Sequence, residues 1–506
     1  MKNVMKKLLF VFPIIMLSTC STLEGLLDTI SGGFSTDSGT SSKTTGNSNS
    51  SNASVSSSST AGNPSRTTDK STNTAVTSPN TAGNSISSRL TKNYTLPASY
   101  ETAYSYRTET PDQDMKNIPR NIEANRANNP EEYVRQVVEL INNSAKNDFE
   151  KVKKAHDLVA LLVRYDAANF WSGTVPDQSY QSVLRNRLAV CEGYSIILKK
   201  FCDELDIPCE IVHGFGRGVG TSPLSGDTPN ESNHAWNIVT INDESYLIDC
   251  TWDSGYMDGR VSKQRYTTDW LFLKPEHFIY THYPENARQQ LLTTPLTAAQ
   301  FGALPFFKPK FFEMADNISV NLQKINQVDN ALTFDFITKD GYWLNFRLND
   351  IKTGREIQNR DFVQTDGTKK TVYFSFPAAG QYSVNIFWWK TGARTGEGCG
   401  EFVVEASSAN TVQYPTTYSS SAQNLQIISP IEMPLKKGSN YTFKIRVDNK
   451  KIVAIISGRT FVQLTKEDDG IFTADFEIPN NINELSIGIA DSERGRYETI
   501  AKYAVN

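Results

Sequence analysis

Cys191, His234 and Asp249 are the residues whose types and order could support covalent chemistry. A cysteine is a weak nucleophile until a base takes its proton, and that base needs an acceptor to orient it. Cys191 opens the run Cys191-Glu192-Gly193-Tyr194-Ser195, and Ile196, Ile197, Leu198, Phe201 and Leu205 follow as an apolar stripe. The spacing predicts a helix that begins at the cysteine. At such a start the dipole and the unpaired amides favour a thiolate, and the same amides could donate to an oxyanion. A cysteine of this kind is more often structural than reactive, so the base and its acceptor decide the reading.

Three strand-like stretches follow, Cys209 to Phe215, His234 to Ile241 and Tyr246 to Trp252, the first two separated by a polar Gly216–Ser232 loop. Asn242-Asp243 permits a tight hairpin. If Ile241 pairs with Glu244, His234 falls opposite Thr251 and Asp249 opposite Trp236. His234 and Asp249 then share a face as diagonal neighbours about 7–8 Å apart at the backbone. A four-residue loop would put Asp253 opposite His234 instead, so Asp253 is the alternative orienting residue. Gln178 or Gln181 is a further candidate, as an oxyanion donor. His213, His277 and His282 read as structural or surface residues with no metal spacing among them, and His156 as an ordinary helix residue. Trp236 reads as packing that would also shield the imidazole, and Glu192 as a solvated first-turn acid.

Three segments resemble, in order, the motifs of the transglutaminase-like superfamily: Val190-Cys191-Glu192-Gly193-Tyr194-Ser195, Asn233-His234-Ala235-Trp236-Asn237 and Leu247-Ile248-Asp249-Cys250-Thr251-Trp252. Arg164-Tyr165-Asp166, the run Phe272 to Tyr280, and His282-Tyr283-Pro284 resemble its kyphoscoliosis peptidase branch, which also carries trailing β domains. The resemblance implies a papain-like domain in which Cys191 is the nucleophile, His234 its base and Asp249 the residue that orients His234. It implies no cofactor and no metal. Cys250 stands where the third motif usually has proline. The implied chemistry is attack on a protein or peptide amide through an acyl-enzyme. Water as acceptor makes a peptidase, the outcome that the branch's name favours, and an amine makes a cross-linking transglutaminase. A binding or adhesion module that keeps the site's shape without turnover is the reading from another class.

The rest of the chain frames this domain. The 506 residues are too many for one core. Lys and Arg number 51 against 55 acids with no basic block, which argues against nucleic acid as a partner. A basic start, a short apolar run and Leu17-Ser18-Thr19-Cys20 resemble a bacterial lipobox. Residues 1–20 are therefore expected to be a lipoprotein signal, with Cys20 lipidated and the protein held as a membrane-anchored lipoprotein of the cell envelope. Residues 21–94, mostly Ser, Thr, Asn and Gly, are expected to be a disordered linker. Helical patterns after Asn129-Pro130-Glu131-Glu132 and from Asp148 to Val163, with strands afterwards, predict an α+β transglutaminase-like domain over 95–315. Alternating stretches then predict two Ig-like β-sandwiches over 316–408 and 409–506. Five cysteines remain after Cys20, an odd number, so at least one thiol stays free in a monomer. The oligomeric state is not legible. Replacing Cys20 with Ala is expected to abolish incorporation of labelled palmitate and release the chain from membranes; equal labelling of both forms would refute the anchor.

Overall fold

The computed structural model describes residues 98–506, except 219–228, 230, 392, 394, 419–424, 449–451, 459, 469, 493 and 494. The signal segment, Cys20 and the linker 21–94 lie outside the described residues, as does the centre of the Gly216–Ser232 loop. No described helix is long and apolar enough to cross a membrane.

Two helices form the back of the first domain. In α1 (Pro130–Ser144) the Asn129 side chain accepts from Glu132 N, proline occupies the first turn, and Tyr133, Val134, Val137, Val138 and Ile141 are buried. In α2 (Asp148–Leu162) Asn147 plays the same capping role toward Glu150 N. The central helix α3 (Cys191–Glu204) buries Tyr194, Ile197, Leu198 and Phe201 against them. Each such side chain contributes about 1.5–3 kcal/mol.

The sheet is built from β1 (Cys209–Gly216), β2 (His234–Ile241), β3 (Glu244–Ile248), β4 (Leu271–Leu273) and β5 (His282–Pro284). Its order is β4-β3-β2-β1-β5, with every neighbour antiparallel. Strand alternation divides its side chains: Val239, Ile241 and Ile248 join the helical core, while Trp236, Ile238 and Leu247 pack on the other side with Trp270, Leu273 and Phe278. The β2–β3 hairpin has the two-residue register, Ile241 opposite Glu244, with Asn242 and Asp243 at φ 52° and 63°. Such positive angles at both central positions are what a type I′ turn requires.

The third expected strand is shorter than the sequence pattern predicts. β3 stops at Ile248, and Cys250–Ser254 is a helix, α4. Asp249 causes the break, because its side chain accepts from Thr251 N and Trp252 N and so caps a helix start.

A buried ionic cluster fastens α4 to α2. His156 Nδ1 lies 3.1 Å from Asp157 Oδ1, and His156 Nε2 lies 3.0 Å from Asp253 Oδ2. Asp253 also accepts from Thr267 Oγ1 and Trp270 N, and Tyr266 and Lys153 donate to Asp157. Burial disfavours the His156 cation, but the two aspartates outweigh it and hold the imidazole up at about 9. His156 is therefore the hub of this cluster, and Asp253 is committed to it rather than to His234.

The trailing β domains are two Ig-like β-sandwiches, with six plus four and five plus four strands among the described residues. The core of the first reaches back across residue 315. The strand β6 (Phe306–Phe307) pairs with Glu397–Ala406, and Phe307 stacks on Phe311 of α5 (Pro309–Met314) at 3.7 Å inside the same core as Phe336 and Phe402. The Arg217 guanidinium, just after β1, donates to the carbonyls of Tyr280, Phe301 and Leu304, which ties the sheet to that junction.

Two outcomes follow. A fragment 296–506 is expected to melt cooperatively, at least about 5 °C above a fragment 316–506 that lacks Phe307 and Phe311; equal midpoints would refute the shared core. His156→Phe strands buried carboxylates and is expected to cost about 3–5 kcal/mol in urea unfolding near neutral pH. Because the folded pKa is raised, His156's contribution is complete below about 6.5 and is lost as pH rises through about 9. The gap between wild type and variant should narrow over that window, and a gap independent of pH would contradict the charge assignment.

Candidate active site

Cys191 is the first residue of α3, and of the five described cysteines it is the one not fully buried; none of the five is in a disulfide. Its approach is fixed by Gln178, whose Oε1 accepts Val190 N at 3.0 Å while its Nε2 donates to Pro176 O. Gln178 is thus a strut for the nucleophile's loop, with one of its two amide N–H donors spent on Pro176 O. Gln181 faces Glu131. Gly193 allows this packing: a Cβ there would lie 2.6 Å from Gln178 Oε1 and 2.7 Å from the Ala189 methyl. Tyr194 donates to Val163 O at 2.8 Å and meets Ser254 Oγ at 3.1 Å, joining α3 to the end of α4. Glu192 is paired with His213 at 2.8 Å, and that contact raises the pKa of the imidazole.

His234 begins β2, and its side chain is 8% exposed. The adjacent Asn233 bonds both the N–H and the C=O of Gly216, extending the β1–β2 pairing by a side chain. His234 Nε2 lies 2.7 Å from Asp249 Oδ2. Trp236 stacks on the ring at 6.0 Å, and Trp252 lies tilted against it at 5.3 Å. Burial disfavours the His234 cation, yet Asp249, with a smaller push from nearby Cys191, raises the imidazole to about 10. With Nε2 committed to Asp249, Nδ1 is left for the thiol. Burial also opposes ionisation of Asp249, but the charge and hydrogen bond of His234 and a further bond from His282 hold it well below the usual carboxylate range. The structure therefore brings the three residues together, although Asp249 reaches His234 from a helix cap and not from a strand position.

His282, read from the sequence as a structural or surface residue, is buried beside this pair. Its Nε2 lies 3.1 Å from the same Asp249 Oδ2. β5 and β2 flank β1 on opposite sides, with Gly216 opposite His282 and Gly214 opposite His234. Glycines at 214 and 216 leave one face of β1 bare, so the two imidazoles come within 5.4 Å of each other across it. A Cβ on Gly216 would stand 3.0 Å from His234 Cβ. The His-Gly-Phe-Gly alternation was the available signal.

Among the described residues, His234, Asp249 and His282 form a group whose ligand atoms could gather around an ion. A tetrahedral zinc with bonds of 2.0–2.1 Å needs donors about 3.3 Å apart. The observed 2.7 and 3.1 Å separations are those of hydrogen bonds, and each is accounted for as one.

Residues 135–249 match the transglutaminase-like superfamily, a span that runs from α1 to the acidic residue of the site. Kyphoscoliosis peptidase from Mus musculus is 25% identical over 246 residues, covering 48% of this chain and 36% of that protein. The Homo sapiens protein of that name is 28% identical over the same share of each. The chain thus spans about a third of the length of these relatives. A solved structure titled as that of a TGase is 20% identical, covers 33% of this chain and 39% of its own, and gives a TM-score of 0.20. The chain thus carries, over residues 135–249, a transglutaminase-like domain, the one that holds Cys191, His234 and Asp249.

Proposed function

We propose that the chain is a cysteine enzyme that acts on protein or peptide amides through a thioester, with hydrolysis as its outcome, and that Cys20 anchors it to the cell envelope. The observation that carries the chemistry is the 2.7 Å His234–Asp249 bond beside the accessible thiol. The Cys191 sulfur attacks the carbonyl carbon, and the oxyanion is met by the N–H groups of Cys191 and Glu192 at the start of α3, since Gly193 and Tyr194 N–H already donate to Val190 O. His234 gives its proton to the leaving nitrogen as the C–N bond breaks. Water then attacks the thioester, His234 takes its proton, and the thiol returns. Asp249 keeps the imidazole oriented and its cation stabilised throughout.

The full chain serves for the test. At pH 6 an ordinary thiol is about 0.3% thiolate. Cys202 and Cys250 are held as thiols, the first by its contact with Cys209 and by burial, the second by burial. Iodoacetamide is expected to modify Cys191 first, as read by mass spectrometry. His234→Ala should slow that reaction about tenfold or more, and Asp249→Ala should slow it less. A peptide amide that is cleaved by wild type and not by Cys191→Ala supports the enzyme. Product that carries an added amine in place of water would replace hydrolysis with transamidation. If Cys191 reacts no faster than the buried thiols, the binding-module reading takes over.

A further inference from the structure

His282 is left without a task by acyl transfer, yet it occupies a site built as closely as that of His234. We infer that His282 is a positioning residue, a second imidazole that donates to Asp249 and thereby sets the orientation and proton affinity of the His234–Asp249 pair. The inference rests on the reading above, which gives that pair its role.

The tautomer follows from the partners. Nε2 faces an ionised carboxylate at 3.1 Å, where a lone pair would be repelled, so Nε2 carries the proton. Nδ1 lies 2.9 Å from Thr281 Oγ1, whose one hydroxyl proton goes to that nitrogen or to Phe278 O at 3.2 Å. The ring is enclosed by Phe278 at 4.0 Å, Trp252 at 4.4 Å, Trp236 at 5.0 Å and Trp270 at 5.1 Å. That apolar box, aided by the charge on His234, pushes the imidazole down to about 4 despite Asp249. One carboxylate thus serves a cationic and a neutral imidazole on the same oxygen. The charged and titratable groups facing His234 are Asp249, His282 and Cys191, and those facing His282 are Asp249 and His234.

The second donor has two effects. Oδ1 accepts from Thr251 N at 2.8 Å and Trp252 N at 3.2 Å, so four donors fill the roughly four acceptor positions of the carboxylate and fix its plane. A donor on Oδ2 also withdraws charge from the atom that holds the His234 proton. His234 is therefore a better acid toward a leaving amine than it would be with Asp249 to itself.

The test is a side-chain ¹⁵N NMR titration of the full chain, in which five histidines are assigned by single substitutions. In wild type His282 is expected as a neutral Nε2–H ring from pH 5 to 8. His282→Phe removes the donor, and the His234 titration should move up by about half a pH unit or more. His282→Gln restores an N–H near the Nε2 position and should return it most of the way. The upper inflection in the pH dependence of Cys191 alkylation should move with it. A cationic or Nδ1–H ring in wild type, or a His234 titration unmoved in both variants despite equal losses of melting temperature, would reduce His282 to a core filler. If the variants do not fold, the wild-type tautomer still decides. Because the NMR readout needs no turnover, an inert Cys191 overturns the enzyme reading and leaves the His282 result separately legible.

Discussion

Four N–H groups converge on one buried carboxylate, and the arrangement of the site follows from that convergence. Removing a carboxylate from water costs several kcal/mol, which must be recovered from well-aligned, charge-assisted bonds. Asp249 recovers it from two backbone amides on one oxygen and two imidazoles on the other. Each donor imposes a condition on the chain. The amides require that β3 end and α4 begin at this residue. The imidazoles require that strands on both sides of β1 present a histidine at the same level. The aromatic side chains of Trp236, Trp252, Trp270 and Phe278 exclude the water that would otherwise compete.

Local signals made much of this legible. A helix opening at Cys191 and a hairpin turning at Asn242-Asp243 follow from periodicity and turn chemistry, and both occur. The extension of β3 to Trp252 fails because alternation is read over a window, whereas a single capping aspartate ends a strand at one residue. That capping role also explains why Asp249 reaches His234 even though no strand pairing opposes it to Trp236. Asp253 could not be assigned from the hairpin, since its partner is His156 on α2, a contact of tertiary origin. His282 was hidden for a similar reason. β5 joins the sheet beside β1, and the local sign that something crosses that face is the pair of glycines at 214 and 216, since the His282-Tyr283-Pro284 segment does not say which neighbour it meets.

The first Ig-like sandwich is more than a trailing attachment. Its core takes in Phe301, Phe307, Phe311 and Phe312 from the end of the preceding domain. Arg217 spends its guanidinium on carbonyls at that same junction, one residue beyond the strand that separates the two histidines of the site. The sheet that holds the imidazoles is thereby anchored at its far side to the junction from which the sandwich continues. The two sandwiches also meet, since Phe362 of the first packs in the core of the second with Tyr414.

The state of the sulfur atoms has a consequence for where such a chain can work. Cys202, Cys209, Cys250 and Cys399 are buried thiols, and no described cysteine is bridged to another. Among the described residues the fold therefore stands without a crosslink, and reduction removes nothing that holds it together. Of the described thiols the Cys191 sulfur is the one not buried, and its oxidation would block the proposed chemistry without touching a core contact.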